Sequence, residues 1–306
     1  MPRIPEELAG SPSPMLPEPH SQHASEVGRG DRFEFGKNWA NFLSVLDDRR
    51  IEQATRSLVT MLGVENLQGK SFLDVGSGSG LFSLAAMRLG ATSVHSFDYD
   101  PHSIASTREV KRRYFPEAEN WTIAQGSVLD RDYLGSLGTY DVVYSWGVLH
   151  HTGSMWEALG NVVPLVAPDG RLYIAIYNDQ GALSKWWTFL KKTYNRLPRV
   201  AQGPFALLVM GPREVAMAGW YIVSGQPMRT IHAWTRYHEQ AVNGRGMSRW
   251  HNIIDWIGGY PFEVATPEQI VQFYRDRGLV LESPMPPRHR KMGCNEFVLR
   301  HVLPSD

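Results

Sequence analysis

One stretch of the chain has residue types and spacing suited to holding a ligand against the main chain. It is Asp74-Val75-Gly76-Ser77-Gly78-Ser79-Gly80, which follows a short apolar run and precedes a helical one. Glycines at alternate positions let the backbone turn sharply and let a ligand approach the peptide groups closely. A dinucleotide-binding fingerprint would place its third glycine one position later, where this chain has Leu81, so the spacing argues against a pyrophosphate ligand. About 20 residues beyond the turn, Asp98 ends the run Val94-His95-Ser96-Phe97. A carboxylate there is placed to accept hydrogen bonds from both hydroxyls of a ribose. Asp100, directly before Pro101, reads as the N-cap of the next helix.

A second constellation follows the run Asp141–Trp146: Gly147-Val148-Leu149-His150-His151-Thr152. Polar side chains just past the carboxyl end of a buried strand face the crevice where open α/β sheets bind ligands. A histidine there, titrating near neutrality, suits removal of a proton from a hydroxyl nucleophile. Adjacency does not tell His150 from His151, and either could instead serve structure through a backbone hydrogen bond. One adjacent pair is a poor metal signature, and no metal site is expected.

These residues need a scaffold that brings strand ends together. Ser71–Val75, Ser93–Asp98, Trp121–Gln125, Tyr140–Trp146 and Arg171–Tyr177 each read as a buried strand. Helical stretches separate the earlier ones: Leu81–Leu89, His102–Tyr114 and Met155–Val166. Such alternation predicts a doubly wound α/β sheet, mostly parallel and covered on both faces. Pro168-Asp169-Gly170 reads as a turn into the fifth strand, and Glu34–Leu62 as an amphipathic helical element. The rhythm stops after Tyr177 and returns at Thr266, whose Thr266-Pro267-Glu268-Gln269 has a capping-box pattern. A helix to about Arg277 and two strands near Leu279–Ser283 and Asn295–Val302 then complete seven strands. The predicted divisions are a disordered tail over 1–30, a helical cap over 31–66 and a cofactor-binding half over 67–177. An inserted substrate or lid subdomain over 178–262 and a closing segment over 263–306 follow.

The insertion holds Trp186, Trp187, Trp220, Trp234, Trp250 and Trp256, most of which are expected to pack it. Trp186, Leu190 and Tyr194 recur every four residues as a helix face. Arg245, Arg249, His251 and Asp255 read as members of exposed salt bridges before contacts to a substrate carboxylate or phosphate, and Arg288–Lys291 as a solvated basic hairpin before a guide for an anionic substrate. Lys+Arg and Asp+Glu are equal at 31 each, so no nucleic-acid partner is expected. The lone Cys294 leaves no intrachain disulfide or cysteine zinc cage and reads as a strand residue. The longest apolar stretch, Phe205–Gly225, is broken by Gly211, Pro212, Arg213 and Glu214, so no membrane span is expected. The start lacks a signal-peptide pattern, and the expected compartment is the cytoplasm.

Taken with the Gly-x-Gly-x-Gly turn, Asp98, Gln125-Gly126-Ser127-Val128-Leu129-Asp130 and Pro168-Asp169-Gly170, the order of motifs resembles class I S-adenosylmethionine-dependent methyltransferases. Among these it looks most like methylases related to ubiquinone-biosynthesis O-methyltransferases. The resemblance implies a Rossmann-like methyltransferase fold with a helical insertion after strand 5 and S-adenosyl-L-methionine as cofactor. It places Asp74, Gly76, Ser77, Gly78 and Gly80 along the methionine and ribose parts. Asp98 and Tyr99 then fall at the ribose, Ser127 and Val128 at the adenine, and Trp146 beside the cofactor. The expected reaction is O-methylation of a hydroxyl on a small molecule (phenolic, quinone-precursor or glycosidic), with His150 or His151 as base. The alternatives are N-methylation of a macromolecule and a nucleotide-dependent oxidoreductase on a similar sheet.

Overall fold

The computed structural model describes residues 19–36, 39, 43–44, 46–235, 249–284 and 293–302. Its strands are β1 (Ser71–Val75), β2 (Ser93–Asp98), β3 (Trp121–Gln125), β4 (Tyr140–Trp146), β5 (Val166–Tyr177), β6 (Leu279–Leu281) and β7 (Cys294–His301). They form one sheet in the order β3-β2-β1-β4-β5-β7-β6. The first five are parallel, and β7 runs antiparallel to both β5 and β6. The helices are α1 (Pro19–Gly28), α2 (Asp48–Leu62), α3 (Leu81–Arg88), α4 (Pro101–Tyr114), α5 (Arg131–Gly135), α6 (Met155–Asn161), α7 (Ala182–Arg196), α8 (Arg199–Val223), α9 (Pro227–Thr235), α10 (Arg249–Gly258) and α11 (Pro267–Arg275).

Side chains alternate across a strand, so one short apolar run feeds two cores. From β1, Phe72 joins Tyr144 and Tyr173 under Ile51 and Leu58 of α2 and Leu84 of α3. Its neighbour Leu73 joins Val143 and Ile174 under Leu159 of α6 and Ile270 of α11 on the other face. This is the doubly wound seven-stranded sheet that the β-α alternation predicts. Local signals set several boundaries. Asp47 caps α2 by accepting from the Arg50 amide, and Gly63 ends it in the left-handed conformation. Thr266 and Gln269 form the capping box of α11. The α6 helix stops at Asn161, short of the expected Val166, and passes into a 3₁₀ turn over Val163–Leu165. Pro164 lacks the amide that an α-helix needs there. Pro168-Asp169-Gly170 lies inside β5.

Two expectations are corrected. Residues 19–28, expected in a disordered tail, form α1; residues 1–18 lie outside the described residues. The segment has no apolar stripe because polar partners far along the chain hold it. His23 Nε2 is 3.6 Å from Asp100, while Glu26 pairs with Arg32 at 2.7 Å and accepts from the Tyr99 hydroxyl at 3.3 Å. The second concerns the tryptophans between β5 and β6. Trp187, Trp250 and Trp256 pack around Ile253 and Ile257, but Trp186, Trp220 and Trp234 are exposed. Leu190 and Tyr194 are buried as the four-residue spacing predicts, and Trp186 is not. No helix among the described residues is long and apolar enough to cross a membrane.

Candidate active site

The carboxyl ends of β1, β2 and β4 border a cavity of about 1740 Å³. Asp74, Gly76, Ser77, Gly78, Asp98, Tyr99, Ser127, Val128, Trp146 and His151 all line it. Gly80 and His150, counted with them on sequence grounds, do not.

The glycine turn follows β1 with Gly76 at φ 79°, Gly78 at φ 54° and Gly80 at φ 77°. At Gly76 a Cβ would come within 2.4 Å of Val148, so the turn from β1 packs directly on the turn from β4. Gly80 caps α3, and a Cβ there would meet the Thr107 Cα at 2.9 Å. Its smallness serves the approach of α3 to α4.

Asp98 spans the turn. One carboxylate oxygen accepts from the Gly78 amide and the other from the Asp100 amide, both at 2.9 Å. Burial raises its pKa to about 6 against these hydrogen bonds. A carboxylate offers about four lone-pair sites, and two are used here, so two hydroxyl donors fit the remaining capacity. Asp100 caps α4 through the His102 amide as expected, and also accepts from the Gly36 amide at 2.7 Å. Tyr99 is covered by the Arg32 guanidinium, 4.9 Å above its ring. Ser127 accepts from the Leu129 amide at 3.2 Å, and the Trp146 indole donates to Glu296 at 2.7 Å.

Asp74 is fully buried and turns inward. Ser83 donates its proton to Asp74, so Ser96 donates to Ser83 at 2.7 Å, and the Trp121 indole donates to Ser96 at 2.8 Å. Burial dominates over these bonds and lifts the Asp74 pKa to about 7.

The two histidines separate. They lie in a 3₁₀ turn after β4. His150 is buried between His151 and Tyr177, with ring centroids at 4.4 and 4.3 Å, and the Ala175 backbone is its polar neighbour. The Nδ1 of His151 is 2.5 Å from the Pro261 carbonyl. A carbonyl only accepts, so Nδ1 carries the proton and Nε2 is left as the ring's acceptor. Burial, with the Lys191 and Arg32 charges, holds the His151 pKa down to about 3. This corrects the expectation of a histidine titrating near neutrality; the ring stays neutral across the working pH range. His150 is pushed well below its ordinary value, first by burial and then by His151 and Lys191.

Several residues here gave no periodic or motif signal. Arg32 bonds Glu26, stacks on Tyr99 and donates to the His151 carbonyl at 2.9 Å, tying both ends of the cavity together. Trp39 lies 3.1 Å from where a Gly78 Cβ would be. Arg249, read as an exposed salt bridge, is buried and forms a two-pronged pair with Glu214 at 2.7 and 3.0 Å, lining the cavity from the helical side. Lys191 is buried between Trp256 and Phe262, its ammonium bonded to the Trp256 carbonyl, and burial lowers its pKa to about 7. Cys294 is half-buried at the start of β7. Arg245, the His251 side chain and Arg288–Lys291 lie outside the described residues. No three His, Cys, Asp or Glu side chains among the described residues are grouped to hold a metal.

A family model described as a methyltransferase domain matches residues 47–202. Ribosomal protein L11 methyltransferase of Xanthomonas campestris pv. campestris is 44% identical over 64 residues, 21% of each chain. The protein of that name from Xanthomonas axonopodis pv. citri is 34% identical over 122 residues, 39% of this chain and 36% of its own. The matched stretches thus span well under half of these curated relatives. The structure of PKMT2 from Rickettsia typhi superposes with TM-score 0.53 at 11% identity, covering 81% of this chain and 52% of that one, which is a likeness of fold.

Proposed function

Because this chain belongs to the methyltransferase-domain family and is an S-adenosylmethionine-dependent methyltransferase, we propose that it methylates a hydroxyl on a small, largely apolar molecule. The observation that carries this reading is the state of His151, a neutral imidazole on the cavity wall whose Nε2 can only accept. An ammonium acceptor must surrender its proton before it can react, and a base held at about 3 takes it poorly. A hydroxyl keeps its proton until the new bond forms, when its acidity rises steeply, so a weak, well-placed acceptor is enough.

When bound, the cofactor supplies an electrophilic methyl on a positively charged sulfur, to which the electron pair of the broken carbon–sulfur bond returns. The acceptor oxygen uses a lone pair to form the new bond, and its proton passes to His151 Nε2. The protein's main contribution is alignment. Asp98 would receive the ribose hydroxyls, the 76–78 turn would hold the methionine portion, and Ser127 and Val128 would flank the adenine. Asp74 anchors the start of α3 through Ser83, and Trp146 would border the cofactor from the cavity wall. Phe35, Tyr177 and Trp256 line the acceptor side beside His151, which favours an aromatic hydroxyl compound.

The names of the relatives favour a second reading, transfer to an amine of a ribosomal protein. The two separate in one assay: purified protein, cofactor carrying a labelled methyl, and either a panel of small phenols or ribosomal protein L11. The expected result is label on a phenolic oxygen and none on L11. Label on protein amines with an inert phenol panel overturns the hydroxyl assignment. Calorimetry should also show S-adenosylmethionine binding and no response to NAD.

A further inference from the structure

We propose that helices α7–α9 form a docking surface for an anionic lipid bilayer. Among the described residues, thirteen of the fifteen exposed large apolar side chains fall in residues 183–234. On α8, Val200, Leu207, Leu208, Val215 and Ile222 recur at two-turn spacing and so share one side of the helix. Their exposure runs from 58% at Leu207 to 86% at Val200. The adjoining side of the same helix carries buried Ala206, Met210 and Glu214, so apolar side chains of α8 meet solvent as well as the core. On α7, Trp186 and Phe189 stack on each other at 5.6 Å and are more than half exposed. Soluble proteins rarely leave so many large apolar side chains exposed in one run of helices without a partner.

Charge selects the occupant. Residues 182–235 contain seven Lys and Arg against one acid, in a chain whose total charge is zero. That acid, Glu214, is buried against Arg249 and so offers no charge to solvent. Lys185, Lys192, Arg196, Arg199 and Arg229 are exposed among the apolar residues. A second copy docking through the same patch would set these cations against one another, because a twofold interface pairs a surface with itself. An anionic bilayer complements both features: apolar side chains and tryptophans enter the interface while long cationic side chains reach the headgroups. Arg213 and Glu214 interrupt α8, consistent with a helix that lies in the surface rather than crossing it.

The inner side of these helices contributes Met210, Met217 and Tyr221 to the cavity wall. A bilayer on the outer side would therefore lie one helix away from the acceptor.

The test is vesicle co-sedimentation with the full chain, using phosphatidylcholine alone and phosphatidylcholine with phosphatidylglycerol. The wild type is expected to bind the anionic vesicles at least roughly tenfold better, with binding weakened by salt and a blue shift of tryptophan emission. Leu208→Glu with Val215→Glu, and separately Lys192→Gln with Arg196→Gln and Arg199→Gln, should each reduce binding at least about tenfold. All these sites are exposed, and circular dichroism with cofactor calorimetry verifies that each variant is folded. No preference for anionic vesicles, or variants that bind like wild type, overturns the proposal. A wild type that ignores vesicles but dimerises at micromolar concentration, with the glutamate variant monomeric, overturns it in favour of a second copy.

Discussion

The sheet side of the cavity and its helical side treat polarity in opposite ways. On the sheet side the buried carboxylates are satisfied within the fold, Asp98 by two backbone amides and Asp74 by a serine relay. Apolar side chains there fill two closed cores. On the helical side the buried polar groups include an ion pair, Glu214 with Arg249, and large apolar side chains face outward. In one region the fold itself holds the buried carboxylates, whereas the other turns large apolar side chains outward. His151 stands at the seam, carried by the β4 turn and oriented by Pro261 after α10.

The largest expected effect is at that seam. His151→Ala should lower turnover by about 10²-fold or more while leaving cofactor affinity within a few-fold. His150→Ala, which removes a ring packed away from the cavity, should reduce stability and leave turnover near wild type. Since His151 is held at about 3, the wild-type rate should show no histidine limb between about pH 5 and 8. A limb in that range that vanishes in His151→Ala would refute a permanently neutral ring.

Next is the ion pair. Arg249→Met leaves the Glu214 carboxylate buried, with only the half-exposed Arg213 near it among the described residues, at a cost of about 3 kcal/mol. Replacing both partners, Glu214→Leu with Arg249→Met, should recover most of that loss. Hydrogen exchange should locate the change in α7–α10; a loss spread evenly through the sheet would mean that the two regions unfold as one.

Asp98→Ala removes charge-assisted hydrogen bonds worth about 1.5–3 kcal/mol, so cofactor affinity should fall by roughly tenfold or more, measured by calorimetry. Only the ionised carboxylate accepts from both ribose hydroxyls. Wild-type affinity should therefore decline below about pH 6, and the mutant's should not.

The smallest effect concerns stability. Asp74 and Asp98 have folded pKa values of about 7 and about 6, above the ordinary 3.8, so the folded protein binds more protons than the unfolded chain between those values. These groups make the cofactor-free protein lose stability as pH rises from about 4 to 7. Asp74→Asn keeps an acceptor for Ser83 and removes the buried charge. It should stabilise the protein by about 1 kcal/mol at pH 8 and flatten the slope, read by thermal unfolding.

The same contrast explains what was legible from sequence. Five parallel strands, the Asp100 cap, the capping box at Thr266 and the glycine turn could be read because each is a local pattern of burial or backbone geometry. The split between His150 and His151 could not, since it depends on a carbonyl more than a hundred residues away. Arg32 and α1 escaped for the same reason, being fixed by distant polar partners such as Tyr99 and Asp100. In the helical region the burial assumption itself failed. Trp186 follows helical spacing like a core residue but faces outward, and Arg249 looks like a surface charge but is buried.

The relay beneath the glycine turn has a spectroscopic consequence. Its protons point one way, from the Trp121 indole through Ser96 and Ser83 to Asp74, so the charge on that carboxylate polarises every link. Trp121 is shielded from solvent, unlike Trp186 and Trp220. Its indole proton resonance should therefore move downfield as Asp74 ionises, with a midpoint of about 7, and so act as an internal pH indicator resolved from the tryptophans at the surface.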